Sequence, residues 1–205
     1  MCMNVTNIFG HDVYTSHCVH TEFYQNKTLL SSIELLLDNP LVTARVHGGI
    51  YDSAFGNVLT SVGNDYSDLT VLPGSADLIN WITLEILSTR PGASSLRYLR
   101  SWSNKMFKDS EGLVHAHSHT DFIDSITEFV AIFYVQASPE SANLIFVKDG
   151  KFNTRYTDYP TDHLHPIMCQ SGNLIVHDTK ICHSVGQHTE DEPRVCFVLE
   201  GHFDG

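Results

Sequence analysis

The chain has 205 residues, 42% of them hydrophobic and 10% aromatic, with 24 acidic against 12 basic side chains and a formal net charge of −12. That length suits one substantial core rather than two, and the apolar content argues against disorder. An acidic balance without any Lys/Arg cluster argues against nucleic acid and against an anionic membrane surface, both of which are held by neutralising phosphate charge. A single domain over residues 1–205 is expected, with N-terminal strands and supporting helices over 1–94 and a β core over 95–205.

Cys2, Cys18, Cys169, Cys182 and Cys196 are an odd number with no Cys-x-x-Cys pair. That usage fits reduced thiols better than a disulfide framework. The opening MCMNVTNIFGHDVY lacks a basic start followed by an apolar run, and no stretch approaches about 18 consecutive apolar residues. A cytoplasmic location is the expectation.

In chain order, Asn4-Val5-Thr6-Asn7-Ile8-Phe9 and Asp12-Val13-Tyr14 are β-prone pieces separated by Gly10. Leu29, Leu30, Ile33, Leu36 and Leu37 fall at helical spacing within Thr28 to Asp38, and Asn39-Pro40 stops the run. Residues 41–73 are rich in Gly, Ser, Asn and Asp and suggest strand fragments and loops. A second helix begins with Ser75 as its cap, shows Leu78, Ile79, Trp81, Ile82, Ile86 and Leu87 on one face, and ends at Arg90-Pro91-Gly92. Both helices serve as scaffold.

Short β-prone segments follow with no intervening helix: Ser95 to Phe107, a histidine-rich stretch, Thr127 to Gln136, Asn143 to Val147, Gly172 to His177, and Arg194 to Glu200. Turn-forming residues separate them, as in Lys148-Asp149-Gly150-Lys151 and Glu190-Asp191-Glu192-Pro193. This pattern predicts an antiparallel barrel or jelly roll. The polar segment 148–170, which carries His163-Leu164-His165-Pro166, has the length of a lid or specificity loop.

The histidine stretch is His115-Ala116-His117-Ser118-His119-Thr120-Asp121. Imidazole nitrogen suits iron, zinc, copper and nickel, and a carboxylate completes such a set. In an extended strand alternate side chains share a face, so all four groups could look into one cavity. A further ligand from a distant strand, such as His183, would close a facial site and leave the opposite side of the metal open. Arg194 follows eleven positions later in a segment apolar on both faces, with Val195, Phe197 and Leu199 on one side and Cys196 and Val198 on the other. A buried guanidinium there needs an anionic partner. With no acid in that strand before Glu200, a bound carboxylate is the economical choice.

His119-Thr120-Asp121, then His183, then Arg194-Val195-Cys196 resembles the H-x-D … H … R-x-S pattern of the iron(II)/2-oxoglutarate-dependent dioxygenases. The surrounding text resembles their small prolyl-hydroxylase-like branch of phages and marine bacteria. Ser101-Trp102-Ser103-Asn104 is similar to the S-W-x-N segment of that branch. Phe133-Tyr134-Val135-Gln136 with Pro139 to Phe146 is similar to its Y-Y-V … P … S-G-x-L-x-F block, and Ser171 to Val176 through His183-Ser184-Val185 to its G-D-L-x-x-F … H-S-V block. The resemblance spans roughly residues 96–201, and the order and spacing of the motifs carry it. Cys196 stands where serine is usual, Ala142 replaces a glycine, Asn173 an aspartate and His177 an aromatic residue.

The resemblance implies an α+β, mainly β chain built on a double-stranded β-helix, the jelly roll of the cupins, with N-terminal supporting helices. It implies Fe(II) held by His119, Asp121 and His183, with 2-oxoglutarate as cosubstrate and O2 as oxidant. Arg194 would pair the distal carboxylate of 2-oxoglutarate, with Tyr134 and Cys196 beside it. The reaction implied is hydroxylation of a protein side chain or small molecule, 2-oxoglutarate being converted to succinate and CO2. Spacing alone leaves His115 and His117 open as ligands in place of His119; if His119 and Asp121 hold the metal, His117 stands outside them or faces substrate. Two other readings stand beside this one. The first is a cupin-like metal protein without 2-oxoglutarate, using His117, His119, Asp124 and His183. The second is a non-catalytic β-domain acting as a binding module. Oligomeric state is not legible, a homodimer being one arrangement the sequence allows.

Overall fold

The computed structural model describes residues 3–39, 44–46, 54–55, 58–61, 68–117 and 126–205. The chain opens with a hairpin of β1 (Asn4–Ile8) and β2 (His11–His17), followed by the single-turn α1 (Thr21–Tyr24) and by α2 (Lys27–Asp38). α2 starts one residue before the predicted position because the Asn26 side chain accepts the Thr28 N–H at 2.9 Å, and it buries Leu29, Ile33, Leu36 and Leu37. The short strands β3 (Ala44–Val46), β4 (Ala54–Phe55) and β5 (Val58–Thr60) precede α3 (Ala76–Ser88).

Ser75 occupies the N-cap position of α3 but does not cap it with its side chain. Its hydroxyl turns to the Thr70 carbonyl at 3.4 Å instead. Glu85, not Leu87, completes the buried face of that helix.

The β core follows as β6 (Ser95–Met106), β7 (Glu111–Gly112), β8 (Phe129–Gln136), β9 (Leu144–Val147), β10 (Leu164–Ile167), β11 (Asn173–His177), β12 (His183–Val185) and β13 (Arg194–Asp204). An eight-stranded antiparallel sheet runs β1-β2-β11-β8-β13-β6-β5-β3, a three-stranded sheet runs β10-β9-β12, and β4 pairs with β7. Two facing antiparallel sheets of this order form the jelly roll that the sequence predicts.

β8 and β13 are apolar on both faces because each face meets a different core. Phe129, Ala131, Phe133 and Val135 pack with Val195, Phe197 and Leu199 against Leu29, Ile33, Leu78 and Ile82 of the helices. Val130, Ile132 and Tyr134 join Cys196 and Val198 on the opposite side, facing Leu144 and Phe146 of the smaller sheet. That inner face is the interior of the jelly roll. Arg194 and Glu200 share its parity at the two ends of the apolar run of β13.

The 148–170 segment is strapped to the molecule rather than hanging over it. It contains two short 3₁₀ turns and β10, and its backbone pairs with Val114 through Asn153 N–H to Val114 O at 3.0 Å and Val114 N–H to Thr154 O at 2.9 Å. Arg155 adds an ion pair to buried Glu111 at 2.6 Å. The strap therefore fixes the backbone immediately before His115.

Candidate metal centre

His115 and His183 lie directly opposite each other, each backbone N–H donating to the other's carbonyl at 2.8 Å. Residues so paired point their side chains to the same face, and the two rings stand 4.4 Å apart between centroids. His117 lies two positions on, with its N–H bound to Thr179 O at 2.9 Å. Its ring is 5.2 Å from that of His115 and stacks at 9° on that of His183, 5.0 Å away. One nitrogen from each of His115, His117 and His183 lies within 4.8 Å of the others.

The second nitrogen of each ring decides which one can face a metal. His115 Nδ1 lies 2.8 Å from Leu113 O, and His183 Nδ1 lies 3.3 Å from Ile181 O. A carbonyl only accepts, so both Nδ1 atoms carry the proton. His117 Nδ1 faces a carboxylate oxygen of Glu200 and donates in the same way. His117 and His183 thus turn their Nε2 lone pairs toward each other, the two atoms approaching to 3.3 Å, with the His115 ring beside them. Two lone pairs at that separation repel unless a cation sits between them. Two imidazoles held at about 2.1 Å from a first-row metal and about a right angle apart bring their nitrogens to about 3 Å, so the residues present fit a metal ion. Burial, with His115, His177 and His117 around it, holds His183 well below the ordinary histidine range, so its ring is a neutral ligand near neutral pH.

Glu200 fixes His117. Its side chain is fully buried in β13, opposite Arg100 of β6, whose Nε and Nη2 reach Oε2 at 2.7 and 2.6 Å while Oε1 accepts from His117. Burial opposes ionisation of this carboxyl, but the His117 and Arg100 contacts outweigh it and hold it below the usual carboxylate range. A β-bulge follows between Glu200 and Gly201. A Cβ on Gly201 would come within 2.2 Å of the Arg97 carbonyl, so the close approach of backbones that lets Glu200 turn inward requires glycine there. Trp102 stacks on His117 at 5.9 Å and 25°.

Arg194 begins β13 on the same inner face and is 3% exposed. Its Nη2 donates to the Tyr134 hydroxyl at 3.1 Å and its guanidinium lies 4.7 Å above the Tyr134 ring. Its Nε has no partner, and among the described residues no carboxylate pairs with it. Tyr134 is fully buried, and burial pushes its hydroxyl well above the ordinary tyrosine range, so it stays protonated. That hydroxyl accepts from Arg194 and has the Cys169 side chain as a second hydrogen-bonding neighbour. Cys196 is buried on the same face, directly opposite Tyr134 in the β13–β8 register, and burial raises its thiol pKa so that it stays neutral.

The site residues expected from sequence are thus placed unevenly. His183, Arg194, Tyr134 and Cys196 all face the interior, and His183 meets His115 and His117. His119, Asp121 and Asp124 lie outside the described residues. Glu200, Arg100 and His177 were not singled out as site residues. For Glu200 the available signal was an acid ending an otherwise apolar run; for His177, a polar ring closing the buried strand Asn173–His177.

The sequence matches no protein-family model and no curated protein. The fold matches solved structures over nearly its whole length. HygX from Streptomyces hygroscopicus with nickel and 2-oxoglutarate bound is similar with a TM-score of 0.63 at 17% identity, covering 93% of this chain and 82% of that one. A Pseudomonas putida prolyl-4-hydroxylase gives a TM-score of 0.60 at 10% identity, covering 95% of this chain and 94% of that one. An oxidoreductase of the 2OG-Fe(II) oxygenase family from Burkholderia pseudomallei gives 0.56 at 16% identity, covering 84% and 78%. The chain has the double-stranded β-helix fold of the 2-oxoglutarate–iron(II) oxygenases. No helix among the described residues is long and apolar enough to cross a membrane.

Proposed function

We propose that this protein is an Fe(II)- and 2-oxoglutarate-dependent oxygenase that hydroxylates a protein side chain or a small molecule, with 2-oxoglutarate converted to succinate and CO2. One observation carries the reading. A cluster of three imidazoles, two of them with lone pairs facing each other, shares its interior with a buried guanidinium that has no carboxylate partner among the described residues. The first calls for a cation, the second for an anion, and a metal-chelating keto acid with a distal carboxylate answers both.

In this proposal His115, His117 and His183 hold the iron, and Arg194 receives the distal carboxylate of the cosubstrate through its planar fork. Tyr134 donates its hydroxyl proton to the same carboxylate while accepting from Arg194. Cys196 packs beside that pocket as a neutral, weakly bonding wall. Iron, once bound, supplies the activation of O2 that drives C–H oxidation. Glu200 keeps the proton of His117 on Nδ1, so that Nε2 remains a donor, and the stacked Trp102 keeps water from that ring. Three neutral imidazoles leave the metal's full positive charge to attract an anionic chelate, where an aspartate ligand would offset part of it.

The sequence pattern supports a second ligand set, with His119 and Asp121 joining His183 as in the H-x-D motif. Alanine substitution separates the two. Loss of iron and of succinate formation in His115→Ala and His117→Ala, with both retained in His119→Ala and Asp121→Ala, supports the three-histidine set; the reverse supports the H-x-D pair. Iron bound at one equivalent with no conversion of 2-oxoglutarate under any substrate would instead support a cupin-like metal protein. A folded chain that binds neither would be a non-catalytic β-domain.

A further inference from the structure

His177 closes β11 on the inner face, opposite Val130, and is 2% exposed. Its Nδ1 lies 2.7 Å from the carbonyl of Asp178, so Nδ1 carries the proton and Nε2 a lone pair. That Nε2 has no hydrogen-bond partner among the described residues. Because Nδ1 is turned back onto its own chain, Nε2 sits on the far edge of the ring, buried from solvent. There the ring meets His183 at 4.9 Å and 66° and His117 at 6.3 Å, with Phe146 packed edge-on at 5.3 Å. His177 is nonetheless not one of the three residues whose donor atoms cluster within 4.8 Å. It stands beside the three-histidine cluster and outside it.

A buried acceptor left unmade is costly, and an aromatic hydrocarbon side chain would fill the same volume without that cost. The orphaned lone pair therefore points to a donor that arrives with the metal. We infer that His177 Nε2 accepts a hydrogen bond from a water molecule bound to the metal at one of the positions left open by His115, His117 and His183. This rests on the metal site proposed above. His177 is a positioning residue in this account: it holds the water's proton without itself binding the metal, and it favours a protic ligand at that coordination position over an aprotic one.

The test uses the full-length protein loaded with Co(II), with wild type, His177→Phe and His177→Gln compared by chelator competition and by the visible absorption of the bound cobalt. Phenylalanine removes the acceptor at nearly constant volume, and glutamine places an amide oxygen near the Nε2 position. The expected result is that H177F binds Co(II) about tenfold to a hundredfold more weakly with an altered spectrum, as for loss of an outer hydrogen bond at a metal site, and that H177Q recovers most of the affinity and the wild-type spectrum. Wild-type affinity and spectrum in H177F overturn the inference. So does equal weakening in H177F and H177Q when both melt at the wild-type temperature, because that pattern reports packing. Failure of the wild type itself to bind Co(II) overturns the metal site instead, and this inference with it.

Discussion

His117 and Glu200 are joined through Nδ1 and Oε1 inside the jelly roll, with the other carboxylate oxygen taken by Arg100. One buried acid thereby sets the tautomer of an imidazole in the proposed metal site and is itself anchored to the neighbouring strand. Glu200→Gln keeps the shape and removes the charge. It is expected to lower metal affinity about tenfold to a hundredfold, the usual range for an orienting carboxylate, with an unchanged far-ultraviolet circular dichroism spectrum. Chelator competition measures it, and unaltered affinity would show that Glu200 serves packing alone.

Arg194 gives an expectation of the opposite sign for stability. A buried guanidinium without a carboxylate partner among the described residues is a cost to the folded state. Arg194→Met is therefore expected to raise the melting temperature of the ligand-free protein, by an amount corresponding to about 1–4 kcal/mol, while abolishing 2-oxoglutarate binding. Differential scanning calorimetry and isothermal titration check the two halves separately. A variant that melts lower would mean the charge is satisfied within the chain.

Acid should weaken the metal-free fold. Burial lowers the His177 pKa to about 4 and holds His183 lower than normal, whereas unfolded histidine titrates near 6.5. The unfolded chain therefore binds more protons between those values, and stability is full above about pH 6.5 and falls as pH drops toward 4. The His177 share alone is on the order of 3 kcal/mol. Urea unfolding across that range measures it, and a flat profile would contradict the buried neutral rings.

Gly150 is a steric test of the strap. A Cβ there would lie 2.7 Å from Cys182 Cβ and 2.8 Å from Val114 Cγ1, the chain neighbours of His183 and His115. Gly150→Ala is expected to cost about 1–3 kcal/mol and to weaken metal binding by spreading the paired segments that carry His115 and His183, two of the proposed ligands. Thermal melts with and without Co(II) would show it, a normal metal-induced rise in melting temperature being the contrary result.

How much of this was legible in the sequence varies with range. β6, β8 and β13 could be read because long apolar or alternating runs carry their own signal, and α2 and α3 because five or six apolar residues repeat at helical spacing. β10 and β12, at four and three residues, are too short to show a period. Two-residue alternation correctly put His115 and His117 on one face, but spacing could not choose among the histidines of that stretch. Nor could it show that His115 lies opposite His183, a pairing across 68 positions. Glu200 and Arg100 stayed hidden for the same reason: their relation to His117 is a matter of strand register, and the bulge at Gly201 that shapes it has no local marker beyond one glycine.

The most direct measurement is the anaerobic visible spectrum of the protein with one equivalent of Fe(II) and excess 2-oxoglutarate. A weak charge-transfer band is expected in the wild type and absent in His183→Ala and in Arg194→Ala, the first for want of iron and the second for want of the bound keto acid. A wild-type protein that binds iron yet shows no band, or an Arg194→Ala protein whose band equals the wild type's, would contradict the account.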